Sequence, residues 1–117
     1  MGNRDVRIIN LEAGMPLVEE ARKRLIKEID TAIKDGVSVL KIIHGYGSSG
    51  RGGKLKDAVR KSLTYRKKEG KVSAFIYGEK WNIFEQLTRE VLDKHPYLRK
   101  DADLNRNNPG ITIVLLR

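Results

Sequence analysis

Cysteine is absent from the sequence, and its absence removes several kinds of chemistry. Without thiols the chain cannot form a disulfide, a thiolate-bound zinc site or an iron–sulfur cluster, and it suits a reducing compartment. Long hydrophobic runs are missing as well, so no segment is predicted to span a membrane. The first residues, MGNRDV, lack the apolar stretch of a signal peptide. We therefore expect a cytoplasmic protein that does not bind membranes.

What the sequence does contain is an uneven distribution of positive charge. Its 117 residues carry a formal net charge of +9. Residues 37–71 hold ten basic and two acidic side chains, a net charge of +8. A localised basic surface is typical of nucleic-acid-binding proteins, whereas a surface that serves only solubility would spread its charge. The length and a hydrophobic fraction of 39% predict one domain over residues 1–117.

Hydrophobic periodicity predicts strands and helices in the order β-α-β-α-β-α-β. The strands are expected at residues 6–11, 37–43, 72–77 and 111–116, and the helices at 17–34, 54–68 and 81–94. Strands joined by a helix are expected to be parallel neighbours in the sheet. In the third helix, Trp81, Phe84 and Val91 are expected to point inward. Residues 78–108 are predicted to be an insertion before the last strand.

A glycine-rich loop separates the second strand from the second helix. Residues 44–53, HGYGSSGRGG, contain five glycines, and the helix that follows is basic. Backbone N–H groups at such a junction bind anions, most often phosphate, and glycines allow the anion to approach closely. Tyr46 is expected either to stack on an unpaired base or to fold back on the sheet. The predicted phosphate-binding residues are His44, Gly45, Tyr46, Gly47, Ser48, Ser49, Gly50, Arg51, Gly52, Lys54, Lys56, Arg60 and Lys61.

Two familiar nucleotide-binding motifs fit this loop poorly. Residues 45–50 spell G-x-G-x-x-G. A dinucleotide-binding fold also needs an acidic residue at the end of the next strand, and here only Glu79 is close to that position. The Walker pattern fails because Leu55 follows Lys54 where a hydroxyl residue would bind magnesium. A small nucleotide also does not require a charge of +8 on one segment. An enzyme acting on a small nucleotide is therefore the weaker alternative to a nucleic-acid-binding protein.

Four segments resemble motifs of the Smr (small MutS-related) domain family. They are residues 18–21 (VEEA), 42–47 (IIHGYG), 54–63 (KLKDAVRKSL) and 110–115 (GITIVL). The resemblance implies a compact α/β fold, a βαβαββ two-layer sandwich similar to the C-terminal domain of translation initiation factor three. Relative to this pattern, the sequence has an extra helix before the last strand, within residues 78–108. The resemblance also implies that the partner is DNA or RNA, since family members bind nucleic acids and several are nicking endonucleases.

The first family motif differs here, and this difference bears on catalysis. The family typically has Leu-Asp-Leu followed by His-Gly or Arg-Gly, whereas residues 10–14, NLEAG, contain neither His nor Arg. His44, Glu12 and Asn10 are the candidate catalytic residues. His44 is expected either to act as an acid or base, or to hold the shape of the loop. Glu12 and Asn10 either take over catalytic roles or are ordinary surface residues.

Metal chemistry has little support in the sequence. Two histidines without a carboxylate cluster do not predict a dedicated metal site. No cofactor is expected, except magnesium if the chain cleaves nucleic acid. Nucleic-acid binding is therefore the main prediction, and a nicking endonuclease of the Smr type is the alternative. The choice between DNA and RNA, and the oligomeric state, are left open.

Overall fold

A computed structural model describes residues 6–14, 17–46 and 51–117 of the chain, with the side chains of residues 51 and 52 left aside. The helices and strands follow the predicted order, and most of their bounds agree with the prediction to within three residues. The elements are β1 (Val6–Asn10), α1 (Val18–Lys34), β2 (Val39–Ile43), α2 (Arg51–Lys68), β3 (Val72–Tyr77), α3 (Gln86–Lys94) and β4 (Ile111–Leu116), with short 3-10 helices at Gly78–Lys80 and Pro96–Lys100.

The strands form one sheet in the order β1-β2-β4-β3. β1 and β2 are parallel, with Asn10 opposite Ile43 at their carboxyl ends. β4 runs antiparallel to both β2 and β3. The expectation of parallel neighbours is therefore right for β1 and β2 but wrong for the later strands. Apart from Thr112, β4 is apolar, and it is almost fully buried, so it is most stable in the middle of the sheet, where it separates β2 from β3.

α1 and α2 pack on one face of the sheet. Together with the four strands they form the two-layer βαβαββ unit. Leu25 and Ile29 of α1 and Val59 and Leu63 of α2 are fully buried. They pack in one cluster with inward-facing strand residues, among them Ile9, Leu40, Ile42 and Val114. Burying these side chains contributes about 1.5–3 kcal/mol each. The predicted α/β fold class is thus confirmed.

The segment between β3 and β4 covers the opposite face of the sheet. Trp81, Leu92 and Leu98 pack against strand residues on that face. The predicted inward position is right for Trp81 and Val91 but wrong for Phe84, whose side chain is 85% exposed. The reason is local: α3 begins only at Gln86. In the preceding turn the Phe84 N–H donates to the side-chain oxygen of Asn82 at 2.9 Å, so helical spacing does not apply there.

The described helices contain no candidate membrane span. None of them is long and apolar enough to cross a lipid bilayer.

Candidate nucleic-acid interface

The parallel pairing of β1 and β2 brings the first motif next to the glycine loop. Because Asn10 and Ile43 are register partners, the residues that follow each strand leave the sheet side by side. The Glu12 carboxylate occupies the space where a side chain at position 45 would begin. Gly45 also has a φ of +74°, which favours glycine. The positive φ is therefore the main reason for glycine at position 45, since the Glu12 carboxylate is the end of an exposed, flexible side chain that can move aside.

Asn10 shapes the turn that presents Glu12. Its side-chain oxygen accepts the backbone N–H groups of Glu12 and Ala13, each at 3.0 Å. This is the local hydrogen bonding by which asparagine stabilises turns. Asn10 and Glu12 are both exposed. The structure thus brings these two predicted site residues to the base of the loop, with Asn10 in a turn-forming role.

The His44 imidazole lies inside the protein and makes two internal hydrogen bonds. Its Nδ1 is 2.7 Å from the Gly45 carbonyl oxygen and its Nε2 is 2.9 Å from the Thr112 hydroxyl. Since a carbonyl can only accept, Nδ1 carries the proton and donates, which leaves Nε2 to accept from Thr112 in the neutral ring. The side chain has 0% exposure. It can reach a phosphate only if this arrangement opens.

The charge state of His44 agrees with this geometry. Burial lowers the pKa of His44 below its ordinary value of 6.5, and the positive charges of Arg60 and Lys56 lower it further. The hydrogen bond to Gly45 and the charge of Glu79 oppose this shift. The imidazole is therefore neutral at pH 7, and it contributes no positive charge to the candidate interface.

The backbone beside His44 is fixed by the end of the β3–β4 segment. The Gly110 carbonyl oxygen accepts the N–H groups of His44 and Gly45 at 2.9 and 3.0 Å. The Tyr46 ring edge lies beside Gly110, where an added Cβ would be 3.0 Å from Cδ1 of the ring. Tyr46 is nevertheless 57% exposed. The ring thus lies beside the start of β4 with more than half of its surface exposed, and stacking on a base stays a prediction.

Part of the predicted loop lies outside the described residues. Gly47, Ser48, Ser49 and Gly50 are not described, nor are the side chains of Arg51 and Gly52. α2 begins at Arg51, three residues earlier than predicted, and Gly53 is already helical. The predicted loop is therefore shorter than ten residues, because its last three belong to the first turn of the helix.

Several basic residues of the 37–71 segment are neutralised within the protein. In the described structure, acidic side chains pair with Lys41, Arg60, Arg66 and Lys71. No ion pair forms there for five others, which are Lys54, Lys56, Lys61, Lys67 and Lys68. Lys54, Lys61 and Lys68 are exposed and follow one another at intervals of seven residues. They form a row along one side of α2, with steps of about 10 Å.

Arg60 differs from these lysines because it is held by Glu79, which the sequence did not indicate as part of the site. Its Nη2 donates to both carboxylate oxygens of Glu79, at 2.7 and 2.9 Å. Its guanidinium lies over the Tyr77 ring, 3.8 Å from the centroid. Partial burial alone would raise the pKa of Glu79, but hydrogen bonds to its own backbone and to Arg60 lower it. Glu79 is therefore a carboxylate at neutral pH.

A second feature that the sequence did not indicate is a buried network around Lys41. Its ammonium contacts Asp101 at 2.8 Å and Asp103 at 2.5 Å. Asn108 donates to Asp103 at 2.9 Å and accepts the Gly110 N–H at 2.8 Å. The chain of contacts thus runs from the centre of the sheet to the carbonyl that fixes the loop. Burial alone would lower the pKa of Lys41, but the two carboxylates raise it, so the Lys41 ammonium is charged at neutral pH.

No group in the described residues is arranged to bind a metal ion. Nowhere in that part of the chain do three or more His, Asp or Glu side chains come together as possible ligands. His95, the other histidine, lies at the end of α3, and its Nδ1 is 3.1 Å from the Tyr97 hydroxyl.

Comparisons with known proteins agree with this architecture. The family model for the Smr domain matches residues 14–82, which is more than half of the chain. The fold is similar to the crystal structure of the Smr domain of Thermus thermophilus MutS2, with a TM-score of 0.56. That likeness covers 97% of this chain and 98% of the other, at 23% sequence identity, and therefore concerns the fold. No curated protein matches the sequence significantly.

Proposed function

The chain belongs to the Smr domain family, and from this premise we propose that it binds the phosphate backbone of DNA or RNA through the His44–Gly53 loop and the exposed lysines of α2. The family is of the nucleic-acid-binding and nicking type. Contacts to phosphate fix a protein on nucleic acid without reading its sequence. The sequence carries no recognition-helix motif, so we expect binding without sequence preference.

The observation that carries this proposal is the row formed by Lys54, Lys61 and Lys68. These side chains are exposed, and no acidic side chain of the described structure neutralises them. The row begins at the end of α2 that follows the glycine loop, where the helix dipole also favours an anion. Lys56 and Lys67 add positive charge on the same helix. Five ammonium groups on one helix, none of them in an ion pair within the described residues, suit a polyanion better than a single small phosphate ligand.

Salt dependence of binding tests the proposal. If four to six phosphates are neutralised, log K should fall against log salt with a slope of about −4 to −5 on duplex DNA. Lys54→Ala should make the slope shallower by about one and weaken all sequences alike. Lys94→Ala is the matched control, because Lys94 is an exposed lysine on α3, across the sheet from α2. Binding that does not change between low and physiological salt would refute the proposal.

For the endonuclease alternative, one observation is favourable and one is not. Glu12 presents a carboxylate at the base of the loop, where it could orient a water molecule. His44, however, is buried and uses both ring nitrogens internally. We therefore propose binding without efficient cleavage. Supercoiled plasmid and structured RNA should stay intact, with and without magnesium. Robust nicking by the wild type would refute this proposal, and its loss in His44→Ala with fold and nucleic-acid binding intact would point to the imidazole as the catalytic group.

A further inference from the structure

We propose that Arg60 forms a phosphate subsite that Glu79 occupies in the free protein, so that nucleic acid must displace the Glu79 carboxylate to use it. This inference rests on the proposed function, because it concerns the same interface. It assigns to Glu79 the role of an internal competitor for phosphate. If this is right, removing the Glu79 carboxylate should tighten the binding of nucleic acid.

The geometry around Arg60 is that of an anion site with an anion in place. Tyr77 covers one face of the guanidinium at 3.8 Å, which leaves its edge for hydrogen bonding. Both Glu79 carboxylate oxygens accept from the same nitrogen, Nη2, at 2.7 and 2.9 Å, so an anion already occupies this edge of the guanidinium. Nε of Arg60 is buried and has no hydrogen-bond partner in the described structure. The guanidinium therefore keeps a donor that the carboxylate does not satisfy.

The charge around the pair favours an additional anion. Lys56 is close enough to lower the pKa of Glu79, so two cations act on one carboxylate at this point. The neutral His44 beside them adds no charge. The pair is also accessible, since the side chains of Arg60 and Glu79 are 19% and 33% exposed. A phosphodiester can thus approach from solvent and meet a site with a net positive charge.

Glu79→Gln tests this inference with little change in shape. Glutamine keeps the length of the side chain and one hydrogen-bond acceptor, but it removes the charge that competes with phosphate. Binding of duplex DNA should tighten about three- to tenfold at low salt, and the salt slope should steepen by about one. Glu90→Gln is the matched control, because Glu90 is an exposed carboxylate on α3, and it should leave the slope unchanged.

A double-mutant comparison assigns the gain to Arg60. Arg60→Ala alone should reduce binding by less than Lys54→Ala does, because Arg60 is already occupied. In the Glu79→Gln background, Arg60→Ala should abolish the whole gain in affinity and slope. Thermal unfolding followed by circular dichroism shows whether each variant is folded.

The outcomes separate this inference from the proposed function. If the wild type binds with a steep salt slope and Glu79→Gln has the same affinity and slope as Glu90→Gln, the Arg60–Glu79 pair is only structural. In that case this inference is wrong and the proposed function stands. Weaker binding by Glu79→Gln would also overturn it, because Glu79 would then support the complex. If neither the wild type nor Glu79→Gln binds nucleic acid, both proposals are wrong.

Discussion

At the carboxyl end of β2, the His44 side chain connects two parts of the chain that are far apart in sequence. Its ring bonds to the Gly45 carbonyl on one side and to Thr112 of β4 on the other. The Thr112 hydroxyl is itself fully buried, so each group satisfies a polar atom that would otherwise be unpaired. We infer that His44 orients the start of the glycine loop from within the fold, and that its contribution to binding is made through the loop.

The burial of His44 predicts a loss of stability in mild acid. Its pKa in the folded protein lies below 6.5, the ordinary value expected for the unfolded chain. Below pH 6.5 the unfolded state therefore takes up a proton that the native state does not. The free energy of unfolding should fall as the pH drops from 6.5 towards the folded pKa, by at most about 1.4 kcal/mol per pH unit. Above pH 6.5 this contribution should be constant.

Urea unfolding between pH 5 and pH 8 measures this effect. Glutamine at position 44 cannot titrate, so the pH dependence of His44→Gln in this range should be smaller than that of the wild type by the contribution of His44, whatever its absolute stability. Glu79 and Asp103 do not interfere, because their pKa values are lowered and their contribution is lost only as the pH falls below ordinary values of 4.5 and 3.8. If the wild type and His44→Gln had the same pH dependence, the His44 imidazole would take up its proton equally in the folded and unfolded states, and the prediction would be wrong.

At the scale of the element, residues 81–85 show how a turn can imitate helical spacing. Trp81 and Phe84 are three residues apart, yet Trp81 is fully buried and Phe84 is exposed. The indole N–H of Trp81 donates to the Asp101 carboxylate at 3.0 Å, so the polar atom of the buried ring has a hydrogen-bond partner. Asn82 and Asn105 instead bond to backbone N–H groups of Phe84 and Ile83 and hold the turn. The turn thus directs one aromatic ring inward and the other outward.

Alanine substitutions at these two positions should have very different effects. Trp81→Ala removes a buried side chain and leaves a cavity, so it should lower the free energy of unfolding by about 3–5 kcal/mol. Phe84→Ala removes an exposed side chain and should change it by no more than about 0.5 kcal/mol. Urea titrations followed by circular dichroism measure both values. A large loss for Phe84→Ala would mean that its ring packs against the protein in solution.

At the scale of the whole molecule, a single sheet joins two apolar clusters that lie on its opposite faces. Adjacent residues of β2 belong to different clusters, since Val39 faces α3 while Leu40 faces α1 and α2. Lys41 then connects this strand to Asp101 and Asp103 of the segment before β4. Breaking such a buried ion pair by removing one partner typically costs about 3–5 kcal/mol. Because β2 and the ion pairs of Lys41 belong to both sides of the sheet, we expect the two apolar clusters to unfold together.

Two spectroscopic probes can test this cooperativity. The single tryptophan, Trp81, reports on the layer that contains α3, whereas far-UV circular dichroism is dominated by the longer helices α1 and α2. In urea the two transitions should coincide, with the same midpoint and the same slope. A fluorescence transition at lower urea would indicate instead that residues 78–108 unfold as a separate unit.

Much of the secondary structure follows from the sequence, because local pattern is enough to specify it. Short apolar segments were enough to locate the four strands of the described structure, and α1 ends at Lys34 as predicted, with Gly36 at a φ of +76° just beyond it. α3 was predicted to begin five residues too early, because the turn at 81–85 imitates its spacing. The glycine loop was recognised from its composition, since glycine content and charge are properties of the sequence itself.

The sequence by itself determined the order of the elements, the excess of basic residues and the family. Only the tertiary structure decided the position of β4 in the sheet and the partners of the charged groups. Lys41 and Asp101 are 60 residues apart and Arg60 and Glu79 are 19 apart, so no local pattern relates them. Whether a charge faces solvent or an opposite charge depends on which distant segments the core brings together. A sum over the sequence counts all these charges alike, whereas the fold decides which of them are paired within the protein and which face solvent.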